Sequence, residues 1–236
     1  MEFPDPLIRG RLIKRYKRFL ADVELESGDI VTAHCANSGS MLSVKEPGSE
    51  VWLSPARNPD RKLRYTWELI KVGNTLIGIN TARPNGIVEE AILEGKIPEL
   101  KGYASLRREV RYGQNSRIDI LLENPSLPAC YVEVKSVTLK RETENSSPVE
   151  FPDSVTSRGA KHLIELSDMI AQGYRSVMFY LVQRQDGDAF TIAADIDPAY
   201  KAALDRALKV GVEVLCYGCT LNTEKIEISK SLKLLM

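Results

Sequence analysis

Cysteine is scarce in this chain, with four among 236 residues, and histidine is scarcer at two. Four thiols are too few for a disulfide scaffold in a polypeptide of this length. Cys216-Tyr-Gly-Cys219 has the spacing of half a zinc site or of a redox pair. Its missing ligands would have to come from the isolated His34, Cys35, Cys130 and His162, and the apolar text around Cys216 reads as ordinary buried thiols. No apolar run approaches the roughly 20 residues that span a bilayer. The opening Met1-Glu-Phe-Pro-Asp-Pro lacks a secretory pattern, so the expectation is a cytoplasmic protein with no membrane partner. Excess charge is absent too: 32 basic residues balance 32 acidic ones. Bulk electrostatics therefore predicts no acidic partner, and any polyanion must be met by a local basic surface.

Two such surfaces are present. Arg9, Arg11, Lys14, Arg15, Lys17 and Arg18 crowd one N-terminal segment, with Tyr16 and Phe19 among them; Arg107, Arg108, Arg111 and Arg117 form a second group. Either group alone reads as a solvated face. Among the aromatics, Trp52 and Trp67 suit a core, while Tyr16, bracketed by Arg15 and Lys17, suits stacking on a base or sugar.

The most informative text follows the second basic group. Asp119 lies in the strand-like Arg117–Leu122, and Glu133-Val-Lys135 lies in the strand-like Cys130–Val137. Side chains alternate along a strand, so Glu133 and Lys135 point to one face and Val132 and Val134 to the other. Asp119 sits between Ile118 and Ile120, which are expected to point inward together, leaving it free to join the polar face. The turn-rich loop from Glu123 to Ala129 makes the two strands hairpin neighbours. A Glu-x-Lys triplet by itself is common surface charge. On a core-like strand, however, an ionisable cluster needs a reason, because unpaired charge is costly to bury. Two carboxylates and a lysine on adjacent strands suit a magnesium ion and an activated water beside a phosphodiester. With basic groups flanking such a site, the partner indicated is DNA.

The first eighty or so residues read as all-β. Arg9 to Glu26 is one long alternating segment, closed by the turn Glu26-Ser-Gly-Asp29 and followed by Ile30–Cys35, Glu50–Leu53, Leu63–Lys71 and Leu76–Asn80. Five strands at this spacing suit a small barrel of the OB type. In His34-Cys-Ala-Asn-Ser-Gly-Ser-Met41, Asn37 and Gly39 suit a tight turn, which gives the segment a backbone role and His34 no site role. From Thr81 the text changes to helix, carboxylate strands, a polar loop from Lys140 to Pro148 expected to be mobile, a helix over 157–172, a buried strand at 175–183, and an Ala-rich helix capped by Asp197-Pro198. The expected fold is therefore α/β in the second part. On the 157–172 helix the pattern sets Ala160, Leu163, Ile164, Ile170 and Ala171 against Arg158, Lys161, His162 and Glu165.

Several linked segments resemble the sugar fermentation stimulation protein A family. They are Arg15-Tyr-Lys-Arg-Phe-Leu-Ala-Asp22, His34 to Met41, Tyr65-Thr-Trp-Glu-Leu69, Glu109 to Leu122, Tyr131 to Thr138 and Phe151 to Leu166. Where that family usually has proline after the cysteine, this chain has Ala36, and Ser40 stands before the methionine. The resemblance implies an N-terminal OB-fold-like domain over 1–82 and a PD-(D/E)XK nuclease-like α/β domain over 83–236. It implies DNA binding, for which the basic segment itself offers Arg15, Tyr16, Lys17 and Arg18 on the barrel, and it favours Arg158 and Lys161 as phosphate contacts, with Glu165 in support. Asp119 and Glu133 would hold Mg²⁺ (or Mn²⁺) with the Val134 carbonyl, and Lys135 would orient the attacking water. Glu89 and Glu90 both flank the apolar stripe of their helix, and resemblance alone selects Glu90. Two functions follow as expectations: a metal-dependent DNA nuclease, or a weakly sequence-selective DNA-binding regulatory factor affecting sugar metabolism. A fold hosts many functions and does not choose between them.

Overall fold

A turn at Lys17–Phe19 divides the first alternating segment into two strands. The computed structural model describes residues 1–113, 116–141 and 148–235, and shows β1 (Ile8–Tyr16), β2 (Leu20–Leu25), β3 (Ile30–His34), β4 (Glu50–Pro55), β5 (Tyr65–Val72) and β6 (Thr75–Gly78). Lys17 and Arg18 both take left-handed backbone, with φ of 48° and 62°. No glycine or asparagine marks this turn, so the expectation of a single strand over 9–26 is corrected here.

β1 pairs with β2 and β4, β2 with β3, and β4 with β5, all antiparallel; the parallel contact of β3 with β5 closes the ring. The closed order β1-β2-β3-β5-β4 is that of a five-stranded OB-like barrel. Leu12, Val23, Ala33, Leu53 and Trp67 fill it. The predicted fifth strand, around Leu76–Asn80, is not a stave of that barrel. β6 pairs with β5 and reaches out, where Gly78 N–H donates to Gln183 O at 2.9 Å.

The second domain begins with α1 (Pro84–Leu93), whose first turn holds proline where a missing N–H costs nothing. There follow a 3₁₀ turn (Pro98–Leu100), β7 (Ser105–Tyr112), β8 (Ser116–Asn124), β9 (Leu127–Val137), β10 (Leu139–Lys140) and β11 (Val149–Phe151). The chain then forms α2 (Ser157–Ala171), β12 (Arg175–Val182), β13 (Ala189–Ile192), α3 (Pro198–Lys209), β14 (Glu213–Leu221), β15 (Ile226–Ser231) and β16 (Lys233–Leu235). Of the polar loop expected at 140–148, residues 142–147 lie outside the described residues. The Asp197 carboxylate caps α3 by accepting from Tyr200 N–H at 2.9 Å, as its place before Pro198 predicts.

The main sheet runs β15-β14-β12-β9-β8-β7, with β9, β12 and β14 parallel and the outer pairs antiparallel. α1 packs on one face through Ile87, Val88 and Ala91; α2 and α3 cover the other through Leu163, Leu166, Tyr200 and Leu204. A smaller sheet, β10-β11-β13-β16, lies outside what the sequence reading anticipated. Helix, antiparallel strands, helix and parallel strands in this order make a mixed α/β domain, as the sequence predicts for the second part.

The two domains are joined by buried polar contacts. Glu68 on β5 accepts from Ser54, Asn80 and the Arg83 guanidinium at 2.7–3.0 Å. Asp153 accepts Met41 N–H at 2.7 Å. Gly39 lets this crossing close, because a Cβ there would sit 2.6 Å from the Asp153 carboxylate and force it to shift.

Candidate active site

Asp119 and Glu133 come together where the β8–β9 ladder opens. Backbone pairing runs from Leu122↔Cys130 to Ile120↔Val132 and ends there. Beyond it the Asp119 side chain replaces a backbone partner: its Oδ2 accepts Val134 N–H at 2.8 Å. Its Oδ1 accepts from Asn85 Nδ2 on the first turn of α1, also at 2.8 Å. Alternation breaks at this point, and beside it Glu109 on β7 has a left-handed φ of 54°. Ile118 therefore belongs to the α2-side core and Ile120 to the α1-side core. The expectation that both point the same way is corrected. On β9 the alternation holds, with Val132 and Val134 under α1.

Glu133 is only 2% exposed. Its Oε1 accepts from Lys135 Nζ at 2.6 Å and is in close contact with His162 Nδ1. Arg158 Nε donates to His162 Nε2 at 3.3 Å, which assigns the imidazole proton to Nδ1, facing Glu133. Burial acts to raise the Glu133 pKa, but the His162 hydrogen bond and the Lys135 charge outweigh it and hold the carboxyl below its ordinary range. Asp119 is shifted upward instead, by burial first and then by the negative charge of Glu133, against the Val134 N–H, Lys135 and Asn85. Two neighbouring desolvated carboxylates are thus tuned apart.

Four polar atoms in this neighbourhood are buried without a hydrogen-bond partner among the described residues: Glu133 Oε2, both carboxylate oxygens of Glu165, and the Tyr112 hydroxyl. Tyr112 is pushed far up by burial and then by the charges of Glu133, Glu165 and Asp119, so its phenol stays a hydroxyl among carboxylates. Lys161 Nζ is 3.5 Å from Glu165 Oε1 as an ion pair. Orphaned acidic oxygens are what a hard cation would satisfy. Among the described residues, no three His, Cys, Asp or Glu groups converge as a metal cage. The donor set is the sparse kind, with two carboxylates, that suits Mg²⁺ keeping water and substrate oxygens in its shell.

The remaining predicted residues are distributed unevenly. Arg158 and Lys161 stand on the first turns of α2 beside the cluster. That helix presents Gly159, His162, Leu163, Glu165, Leu166 and Met169 inward, while Ile164 is exposed. The predicted apolar side is corrected: polar residues turn in because the carboxylate site lies beneath them. Glu90 is not brought to Asp119. Its Oε1 accepts from the Met1 ammonium at 2.9 Å, which also donates to Ile226 O on β15. Glu89, one turn beyond Asn85 on the same helix face, pairs instead with Arg108 at 3.1 Å. On the barrel, Arg15 Nη2 donates to the carbonyls of Arg18, Asn37 and Gly39, each at 2.9 Å. Tyr16 donates to Asp22 at 3.0 Å and lies under Lys14 Nζ. Lys17 and Arg18 form the exposed hairpin tip.

Asn85 and Tyr112 are candidate site residues that periodicity missed. His162 is legible on the polar side of its helix, by its spacing with Arg158 and Glu165, but with Lys135 filling the water-orienting position the sequence gives it no role. Cys216 and Cys219 are buried free thiols, with burial pushing Cys219 up to about 12.

The chain matches two family models: the SfsA N-terminal OB domain over residues 13–79, and the Sugar fermentation stimulation protein RE domain over 82–225. It is 64% identical over 229 residues to the Sugar fermentation stimulation protein homolog of Rhodospirillum rubrum, covering 94% of each chain. The homolog of Rhodospirillum centenum is 59% identical over 234 residues, covering 99% of each. Among solved structures, Pyrococcus furiosus SfsA in complex with Ca²⁺ superposes with a TM-score of 0.89 at 28% identity, covering 100% of this chain and 98% of that one. The chain belongs to the sugar fermentation stimulation protein family.

Proposed function

We propose that this protein binds DNA and hydrolyses phosphodiester bonds at Asp119, Glu133 and Lys135 with a divalent cation. One observation carries the reading: a buried carboxylate, Glu133, shares one oxygen with Lys135 while its other oxygen has no partner among the described residues. A site freed from chemistry has no physical need for this combination. The Ca²⁺ complex of the Pyrococcus furiosus relative supports a preference for hard cations.

Asp119 and Glu133 would hold Mg²⁺ or Mn²⁺, with the Val134 carbonyl as a further oxygen ligand. When bound, the cation supplies a lowered water pKa and offsets charge on the scissile phosphate. Val134 N–H and Asn85 fix the Asp119 carboxylate from two sides, so its orientation does not depend on ligand. Lys135, partly exposed, can turn an N–H from Glu133 toward the attacking water or a phosphoryl oxygen, where negative charge grows. His162 holds Glu133 in place as Lys135 does so. Arg158 and Lys161 lie where the adjoining phosphates would pass.

Purified protein incubated with end-labelled single- and double-stranded DNA, in magnesium, manganese or EDTA, tests this. Cleavage with metal and none in EDTA is the expected result. Binding without cleavage under every metal would replace the nuclease reading with that of a regulatory DNA-binding factor.

A further inference from the structure

Tyr16, the aromatic residue best placed in the sequence for base stacking, is already occupied. Its hydroxyl donates to Asp22 and Lys14 covers its ring. The neighbouring Phe19 is different: it is 46% exposed at the β1–β2 tip, directly after Lys17 and Arg18. Its ring, unlike that of Tyr16, carries no hydroxyl to be tied down and stands open beside a basic tip. Both residues before it are held in left-handed backbone, a conformation non-glycine residues seldom take.

A second basic loop reaches the same end of the barrel. β4 and β5 are joined by residues 56–64, which contain Arg57, Arg61, Lys62 and Arg64. Arg57 is bound to Asp5, and Arg64 to a carbonyl of its own loop. The loop ends at Tyr65, which pairs with Ala33 at the end of β3, and the Arg61 charge adds to burial in lowering the His34 pKa. His34 pairs with Leu20, and Cys35 N–H donates to Phe19 O at 2.8 Å. In barrels of this strand order, these two loops are where oligonucleotides bind.

The tip is also connected to the candidate active site. Arg18 Nη2 donates to Ser38 O at 3.0 Å, and the following residues, Gly39 to Met41, dock on Asp153. Asp153 leads into α2, whose Arg158 bonds His162 against Glu133.

We infer that the β1–β2 tip captures an unpaired DNA strand, with Phe19 stacking on a base and Lys17, Arg18 and Arg61 contacting its phosphates. The inference rests on the DNA reading above and narrows it to single strands. A duplex hides its base faces inside the stack, so Phe19 has nothing there to cover.

Fluorescence anisotropy with labelled single-stranded and duplex oligonucleotides of equal length, in EDTA so that nothing is cut, tests it. Phe19→Ala should weaken single-strand binding about 5- to 150-fold, the range for one lost stacked base, and leave duplex binding unchanged. Phe19→Leu should behave like the alanine variant, since it restores bulk without a π-face. Phe19→Trp should bind like the parent and show emission quenched by single strands, against the buried Trp52 and Trp67. Equal single-strand affinity for parent and Phe19→Ala overturns the inference, as does an equal loss on both DNA forms. A parent that binds duplex but no single strand also overturns it and leaves the DNA reading standing. A parent that binds neither overturns that reading as well.

Discussion

Lys135 Nζ and His162 Nδ1 meet at the same oxygen of Glu133, with the lysine at 2.6 Å. The two donors also lie 3.2 Å from each other, so one carboxylate oxygen holds both in register. The consequence is asymmetry within a single side chain. Oε1 is saturated by the protein, and Oε2 is the atom left for a ligand. Stripping one partner from a buried charge is costly, whereas two donors on one oxygen leave the carboxylate supported if either is lost.

That redundancy makes Lys135→Ala a clean test. With His162 still on Oε1, Glu133 should stay ionised and folded, and divalent-metal affinity should change little, because ammonium is not a cation ligand. DNA affinity should stay close to the parent's. Turnover should fall by about 10²–10³, the loss typical of a removed transition-state donor. Single-turnover cleavage measured beside metal titration checks the separation; metal affinity falling in step with rate would contradict it.

Asp119 gives a pH signature. Its folded-state pKa is raised by burial and by Glu133. The native state therefore holds this proton more tightly than the unfolded chain does. Stability from this group falls as pH rises from the ordinary aspartate value, about 3.9, through the raised one, and stays lower above it. Glu133 runs oppositely, adding stability above the ordinary glutamate range that is lost as pH falls. In EDTA at pH 7, Asp119→Asn should thus melt higher than the parent, and the difference should vanish below the ordinary aspartate pKa. Manganese should raise the melting temperature of the parent and not of the variant. Thermal scans across pH, with and without metal, read both effects.

Much of this was legible in the sequence, for reasons that can be named. Glu133 and Lys135 followed from strict alternation, because β9 is a regular strand buried on both faces. The OB-like barrel followed from turn spacing, though its first turn did not: Lys17 and Arg18 carry no turn chemistry, and tertiary contacts of Arg15 and Arg18 hold the tip. Asp119 was placed near Glu133 for a partly wrong reason, since its neighbours Ile118 and Ile120 face opposite cores. Periodicity cannot foresee a strand that splays so that a side chain takes a backbone bond. A polar stripe over a buried site has the same spacing as one over water, so the pattern alone could not show that His162 and Glu165 are buried. Glu89 and Glu90 could not be separated by pattern, and only Asn85 contacting Asp119 fixes which side of α1 faces the site.

Domain attachment should depend on Glu68. It is 2% exposed and accepts from Ser54, Asn80 and both arms of Arg83. Glu68→Ala leaves Arg83 and Asn80 without their acceptor at the junction. A loss of about 3–5 kcal/mol is expected, as for one partner removed from a buried pair. Urea unfolding should show it, and a loss within about 0.5 kcal/mol, the range of ordinary surface changes, would exclude Glu68 as the junction's anchor.

Arg15 and Lys17, two residues apart in one basic segment, should separate stability from DNA binding. Arg15 holds three carbonyls with Nη2 and so ties the tip to the 37–39 turn. Arg15→Ala should cost at least about 1.5–3 kcal/mol, the range for a hydrogen bond to a charged group. Lys17 is exposed, so Lys17→Ala should leave folding stability within about 0.5 kcal/mol of the parent. Its effect should appear in binding instead. If Lys17 contacts one phosphate, the slope of log affinity against log salt should shrink by about one for every DNA sequence tested alike. Affinities measured over a salt series, with urea unfolding of the same two variants, resolve the roles. A Lys17→Ala slope identical to the parent's would remove this residue from the DNA contact, whatever the stability result for Arg15.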